Sequence, residues 1–116
     1  MYFGWAEQAL NPLTGVEYYE NVTRTAGEST RDFFRLYMMP GAFYCRGGVG
    51  PACFDPLARL IPWVEQGKVP EAIVATQLES GKVVRSRPLC PYPQVARYQG
   101  TGGVDDAANF KCVAAK

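Results

Sequence analysis

Arg87-Pro-Leu-Cys-Pro-Tyr-Pro-Gln-Val-Ala-Arg-Tyr-Gln-Gly100 and Asp105-Asp-Ala-Ala-Asn-Phe-Lys-Cys112 are the two stretches of this sequence that decide its fold. Both contain cysteine, a rare residue type, and the first has prolines at short intervals, at Pro88, Pro91 and Pro93. Because proline fixes φ and lacks a backbone N–H, this composition predicts irregular backbone after Pro88. The sequence has four cysteines, and we expect a cross-link to hold that segment.

The composition predicts a globular protein without a polyanionic partner. The chain has 116 residues, of which 47% are hydrophobic and 20% charged, and its net charge is +1. This length accommodates one domain at most, residues 1–116, and the scattered basic residues argue against nucleic-acid binding. No apolar run reaches the ~18 to 20 residues that span a bilayer, and the first ten residues do not resemble a signal peptide. The four cysteines and the Asn21-Val22-Thr23 sequon favour an oxidising compartment.

The first half of the chain predicts a helix followed by a buried strand. Residues Thr14 to Ala26 contain no proline, space their apolar side chains as a helix does, and precede Gly27, a typical residue at a helix end. Phe33 to Met39 is a continuous apolar run that stops at Pro40-Gly41. Such a run is typical of a strand buried on both faces.

The second half predicts another helix and a hairpin. Asp55 is placed to cap a helix with Pro56 at its first position, and the apolar face comprises Leu57, Leu60, Ile61 and Val64. Pro62 within this pattern predicts a kink or a later start. Ile73 to Leu78 and Lys82 to Arg85 predict a hairpin with Ser80-Gly81 at its turn.

Two motifs in the first half, together with the two opening stretches, carry a resemblance to the tannase and feruloyl esterase family. In that family a strand ends in His-Gly-Trp-Ala-Asp, where the aspartate is the acid of a Ser-His-Asp triad, and the catalytic histidine directly precedes a cysteine. Here the corresponding runs are Phe3-Gly-Trp-Ala-Glu7 and Pro40-Gly-Ala-Phe-Tyr-Cys45. The resemblance extends from Tyr2 to Cys112. It implies an α/β fold, the carboxyl-terminal portion of an α/β-hydrolase with at least two strands, two helices and a disulfide-pinned irregular tail.

The resemblance places Glu7 at the position of the triad acid and Tyr44 at the position of the triad histidine. A glutamate can orient an imidazole as an aspartate does. A phenol, however, keeps its proton at neutral pH and cannot accept one from serine as imidazole does. The sequence contains no histidine, and none of Ser29, Ser80 and Ser86 lies in a Gly-x-Ser-x-Gly elbow. Tyr44 is therefore expected to be inactive as a base.

For the cysteines, the resemblance implies a disulfide between Cys90 and Cys112. It also implies that Cys45 lacks its usual partner, a cysteine before the nucleophilic serine, so that Cys45 is free, bridged to Cys53, or bonded to another chain. The cysteine spacings do not match the close pairs of a zinc site. We predict neither a metal site nor a cofactor.

These expectations combine into one leading function and two alternatives. The chain is expected to be the carboxyl-terminal portion of a serine carboxylic ester hydrolase that cleaves phenolic-acid esters, inactive alone and able to engage a substrate only beside an amino-terminal half. The family resemblance implies an extracellular or periplasmic location. The alternatives are a non-catalytic secreted interaction module, which could associate with a partner or with itself through exposed edges, and a small disulfide-stapled secreted protein.

Overall fold

The computed structural model describes residues 1–44 and 47–116. Strand β1 (Tyr2–Gly4) leads into helix α1 (Pro12–Ala26), which is followed by the short helix α2 (Thr30–Phe33) and strand β2 (Tyr37–Met39). Helix α3 (Leu57–Gln66) precedes strands β3 (Ile73–Glu79), β4 (Lys82–Leu89), β5 (Gln94–Tyr98) and β6 (Phe110–Ala114), with a one-turn 3-10 helix at Ala107–Asn109. In the described part of the chain, no helix is both long and apolar enough to cross a membrane.

Strands β1 and β2 form a parallel pair, with Phe3 opposite Met38. Parallel strands need a crossover connection, and here it contains α1 and α2. Helix α1 begins two residues before the predicted start, because the Asn11 side chain accepts a hydrogen bond from the Leu13 N–H at 3.1 Å and Pro12 suits the first turn. It ends before Gly27, as predicted, and Gly27 has a positive φ of 82°.

The strand predicted over Phe33 to Met39 is wrong in its first half. Residues Thr30–Phe33 are helical, and only Tyr37–Met39 are extended. The Thr30 hydroxyl donates to the Gly27 carbonyl at 2.7 Å, and the Phe34 N–H donates to the Thr30 carbonyl at the same distance. These local hydrogen bonds override the strand preference of the apolar run and leave Phe33 66% exposed.

Helix α3 begins one residue later than predicted, after Pro56, and Pro62 does not displace the start. The Asp55 carboxylate accepts a hydrogen bond from the Ala58 N–H at 3.1 Å. The helix begins at Leu57, runs through Pro62 and stops at Gly67, which adopts the left-handed conformation at φ 66°. None of its residues is buried, and its apolar face stays exposed at Leu57, Leu60, Ile61 and Val64.

Strands β3 and β4 form the predicted hairpin around Ser80-Gly81, where both turn residues have positive φ, 49° and 77°. This is the conformation that a two-residue hairpin turn requires. The second strand continues to Leu89, beyond the predicted Arg85, and a register shift lies between Gln77 and Leu78.

The segment after Pro88 is more regular than predicted. Strands β5 and β6 form an antiparallel pair, with Ala96 opposite Cys112. Prolines are confined to the approach to β5, which includes a cis bond between Tyr92 and Pro93, so they remove no hydrogen bond from the ladder. The expectation of an irregular tail was wrong for this reason.

Two small cores hold these elements together. One packs α1 against β2 through Val16, Tyr19, Leu36 and Met38, and the other packs β2 against the β3–β4 hairpin through Tyr37, Met39, Ala42, Ile73, Ala75 and Leu89. Strand β2 therefore has one face in each core, and its three residues are all buried.

Candidate active site

Glu7 and Tyr44 meet just beyond the carboxyl ends of the two parallel strands. The Trp5 N–H donates to the Met39 carbonyl at 2.9 Å, and the Ala6 N–H donates to the Ala42 carbonyl at 3.0 Å. These bonds tie the segment after β1 to the segment after β2. Loops at this edge of a parallel sheet are where α/β proteins place binding and catalytic groups.

The Glu7 carboxylate bridges the two segments directly. Its Oε1 atom accepts a hydrogen bond from the Ala9 N–H at 2.8 Å, and its Oε2 atom accepts one from the Tyr44 N–H at 2.5 Å. The Ala9 N–H holds the pKa of the Glu7 carboxyl below its ordinary value, and the Tyr44 N–H acts in the same direction against desolvation. Glu7 is therefore a carboxylate at neutral pH, fixed against the backbone of residue 44.

Gly4 makes this close approach sterically feasible. A Cβ atom at residue 4 would lie 2.1 Å from the Ala42 carbonyl oxygen and 2.4 Å from that of Phe43. Both obstacles are backbone atoms that cannot rotate away. The glycine of the Phe3-Gly-Trp-Ala-Glu7 motif thus lets the loop after β2 pack against β1.

The side chain of Tyr44 points to an aromatic neighbour rather than to the carboxylate. Its ring packs edge-on against the Phe3 ring, with centroids 5.2 Å apart and planes at 68°. The phenol is 46% exposed, and its hydroxyl makes no hydrogen bond to any residue that the structure describes. Phe3 and Tyr44, the two residues that the resemblance sets at histidine positions, therefore pack against each other.

None of the three serines lies at this edge of the β1–β2 pair. Ser29 precedes α2 and Ser80 lies in the β3–β4 turn. Ser86 lies within β4, where its hydroxyl accepts a hydrogen bond from the Ala107 N–H at 2.9 Å. In residues 1–44 and 47–116, the structure brings the candidate acid and base positions together but supplies no nucleophile beside them.

The predicted disulfide between Cys90 and Cys112 is present, with the two Cα atoms 5.5 Å apart. It joins the end of β4 to β6. Cys53 is exposed and forms no disulfide with a described residue. Cys45 lies outside the described residues, so the Cys45–Cys53 alternative stays a prediction. Over the ranges that the structure covers, no three His, Cys, Asp or Glu side chains cluster as metal ligands.

Sequence reasoning missed two side-chain contacts that join distant segments of the chain. The Tyr92 hydroxyl donates to the Glu20 carboxylate at 2.6 Å, which ties α1 to the turn before β5. Asp105 accepts a hydrogen bond from Arg85 at 2.7 Å, across 20 residues. Sequence periodicity could predict neither contact, because each depends on how distant segments of the chain pack.

A comparison with known protein families shows which family this chain belongs to. The family model described as tannase and feruloyl esterase matches residues 1–113. The chain belongs to the tannase and feruloyl esterase family. The family resemblance read from the motifs is thereby confirmed, and the α/β-hydrolase fold class is confirmed by the solved structures.

Individual relatives share this segment over nearly its whole length. A mono(2-hydroxyethyl) terephthalate hydrolase from Piscinibacter sakaiensis is 42% identical over 117 residues, which cover 98% of this chain and 19% of that protein. A probable feruloyl esterase from Arthroderma benhamiae is 34% identical, over 94% of this chain and 21% of that protein. The crystal structure of feruloyl esterase B from Aspergillus oryzae superposes with a TM-score of 0.87 at 25% identity, over 97% of this chain and 26% of that one. The chain thus spans a fifth to a quarter of the length of its relatives.

Proposed function

We propose that these 116 residues are the carboxyl-terminal portion of a carboxylic ester hydrolase for phenolic-acid esters, and that they contribute the acid and base positions of its active site. One observation carries the proposal: the Glu7 carboxylate contacts the backbone N–H of Tyr44 at the carboxyl ends of the two parallel strands. In a hydrolase triad, the acid must hold the base in place. Glu7 already holds residue 44 through its main chain.

The side chain at residue 44 limits what this site can do. An imidazole there would accept the proton of a serine hydroxyl, and the Glu7 carboxylate would stabilise the imidazolium that forms. The tyrosine side chain packs against Phe3 instead. Because a triad works as a unit, we expect the chain alone not to hydrolyse esters, and Tyr44→His alone not to restore hydrolysis.

The location of the protein is part of the same proposal. The disulfide between Cys90 and Cys112 favours an oxidising compartment. We therefore place the protein outside the cytoplasm, in the extracellular space or the periplasm.

A complementation assay tests the proposed function. The 116-residue chain is combined with the probable feruloyl esterase of Arthroderma benhamiae from which the 115 matching residues have been deleted, and the hydrolysis of methyl ferulate and of a gallate ester is measured. We expect the Tyr44→His chain to give at least about a hundredfold more activity than the unmodified chain, which is the usual contribution of a general base. Tyr44→Phe is the matched control and should give no gain.

Two results would contradict the proposal. Equal activity with Tyr44→His and Tyr44→Phe would show that residue 44 is not the base position. Turnover by the unmodified chain alone, sensitive to a serine-directed inhibitor, would overturn the expectation that it is inactive by itself.

A further inference from the structure

A cavity of about 380 Å³ lies between strand β4, the β5–β6 pair and the loop from Pro40 to Pro51. Ligand pockets in proteins usually measure about 300 to 1,000 Å³ and are lined mainly by apolar side chains, with a few polar groups that orient the ligand. Here the apolar lining includes Leu89 and Phe110, and the charged groups are Arg85 and Arg87. The residues of the candidate active site do not line this cavity, so the two are separate.

The loop from Pro40 to Pro51 forms one wall of the cavity, because glycines let its two ends meet. The Gly50 N–H donates to the Gly41 carbonyl at 2.9 Å, and Gly41 has a positive φ of 73°. A Cβ atom at residue 50 would overlap the Pro40 carbonyl oxygen. The shape of this wall therefore follows from the backbone of the loop itself.

Two arginines of β4 bring positive charge to the cavity. Arg85 and Arg87 are alternate residues of one strand, so their side chains lie on the same face. The Arg85 Nε atom donates to Asp105 at 2.7 Å, whereas the Arg87 Nη2 atom lies 3.9 Å from the same oxygen, too far for a hydrogen bond. One carboxylate thus faces two guanidinium groups, which leaves these three side chains with a net positive charge.

The guanidinium group of Arg87 is held in place without being saturated. It lies over the Phe110 ring, 4.4 Å from the ring centroid, and its Nη1 atom donates to the Ser86 carbonyl at 2.7 Å. Its other N–H groups form no hydrogen bond with a residue that the structure describes. A guanidinium group presents its N–H donors as a planar fork that matches a carboxylate. Arg87 is therefore an oriented carboxylate receptor beside an apolar lining.

We propose that this cavity is a binding site for a small carboxylate with an apolar body. The Arg87 fork binds the carboxylate, and Leu89 and Phe110 contact the apolar body. The net positive charge of the cluster matches the single negative charge of such a ligand. The site does not depend on the proposed ester hydrolysis, because it contains neither of the two positions assigned to the acid and the base.

A titration of the 116-residue chain with benzoate, followed by NMR, tests the binding site. We expect benzoate to shift the amide resonances of Val49, Leu89 and Phe110 with a Kd of about 1 mM, a reasonable affinity for so small a ligand. Benzyl alcohol keeps the ring but lacks the carboxylate. It should bind about tenfold more weakly, because hydrogen bonds to a charged group are lost.

Two arginine variants show whether the fork binds the carboxylate. Arg87→Gln should weaken the binding of benzoate about tenfold. Arg97→Gln makes the same change of charge at an exposed residue of β5 that does not line the cavity. In about 0.15 M salt, which screens exposed charges, this matched control should change the affinity less than about twofold.

A second pair of variants avoids the contact between Arg87 and Phe110. Val49 lines the cavity and is 78% exposed, so Val49→Glu adds a negative charge beside the ligand without disturbing a core. It should weaken the binding of benzoate about fivefold through repulsion of the carboxylate. Val83→Glu is the control, since Val83 is also exposed and does not line the cavity, and it should leave the affinity unchanged.

Any one of four results would overturn the inference. These are unshifted Val49, Leu89 and Phe110 amides at a large excess of benzoate, equal affinities for benzoate and benzyl alcohol, equal effects of the two arginine variants, and equal effects of the two valine variants.

Discussion

At the scale of single residues, the candidate site depends on a glycine as much as on its acidic side chain. Glu7 reaches the Tyr44 N–H because the loop after β2 lies against β1, and the backbone of Gly4 is what the carbonyls of Ala42 and Phe43 approach. The family resemblance set Glu7 and Tyr44 after two strands, and in the structure they lie beyond the ends of β1 and β2. It could not predict that Phe3 and Tyr44 would pack on each other, since that contact depends on side-chain rotamers at the strand ends.

Substituting this glycine should therefore destabilise the protein. Gly4→Ala would place a methyl group within 2.1 Å of the Ala42 carbonyl oxygen, and we expect it to lower the free energy of unfolding by about 1 to 3 kcal/mol. Gly103→Ala is the control, because an added Cβ there would meet nothing within 4 Å. The control should stay within about 0.5 kcal/mol of the unmodified chain in urea unfolding. Equal unfolding free energies for the two variants would show that the loop does not pack closely on β1.

At the scale of elements, cap and turn residues predicted the secondary structure correctly where tertiary packing agreed with them. The cap at Asp55 and the hairpin turn at Ser80-Gly81 were predictable because each depends on a few neighbouring residues. The strand predicted from the apolar run that begins at Phe33 was wrong in its first half. The hydrogen bond from the Thr30 hydroxyl to the Gly27 carbonyl favours a helical turn there. The β5–β6 pair was not predicted, because the proline content of this segment suggested an irregular tail. In the structure these prolines lie before the strands and leave the pairing intact.

The disulfide between these elements should contribute much of the stability of the chain. It closes a loop of 22 residues, and the lost chain entropy of the unfolded state is worth about 3 kcal/mol. The double variant Cys90→Ala/Cys112→Ala should lower the free energy of unfolding by about that amount, measured in urea. Val104→Ala, at an exposed position, is the control and should change it little. If both variants unfold at the same urea concentration as the unmodified protein, the tail is not held by this bridge.

At the scale of the whole molecule, the fold brings together two positions that are 37 residues apart, and it leaves the outer edge of β1 without a strand partner among the described residues. The family and the fold class could be read from motifs because rare residues recur in a fixed order. The unpaired outer edge of β1 could not be predicted, because it depends on which strands lie beside β1 in the fold. The exposed apolar face of α3 belongs to the same incomplete packing.

The central claim is that the Glu7 carboxylate and residue 44 form the acid and base positions of one site, and the absence of histidine from the sequence allows a direct measurement. In the Tyr44→His chain, the single imidazole can be titrated by NMR without interference. A nearby carboxylate favours the charged imidazolium, so we expect its pKa to lie about 0.5 to 1 unit higher than in the double variant Tyr44→His/Glu7→Gln. The same pKa in both variants would contradict the claim, because it would show that the carboxylate does not interact with a base at residue 44.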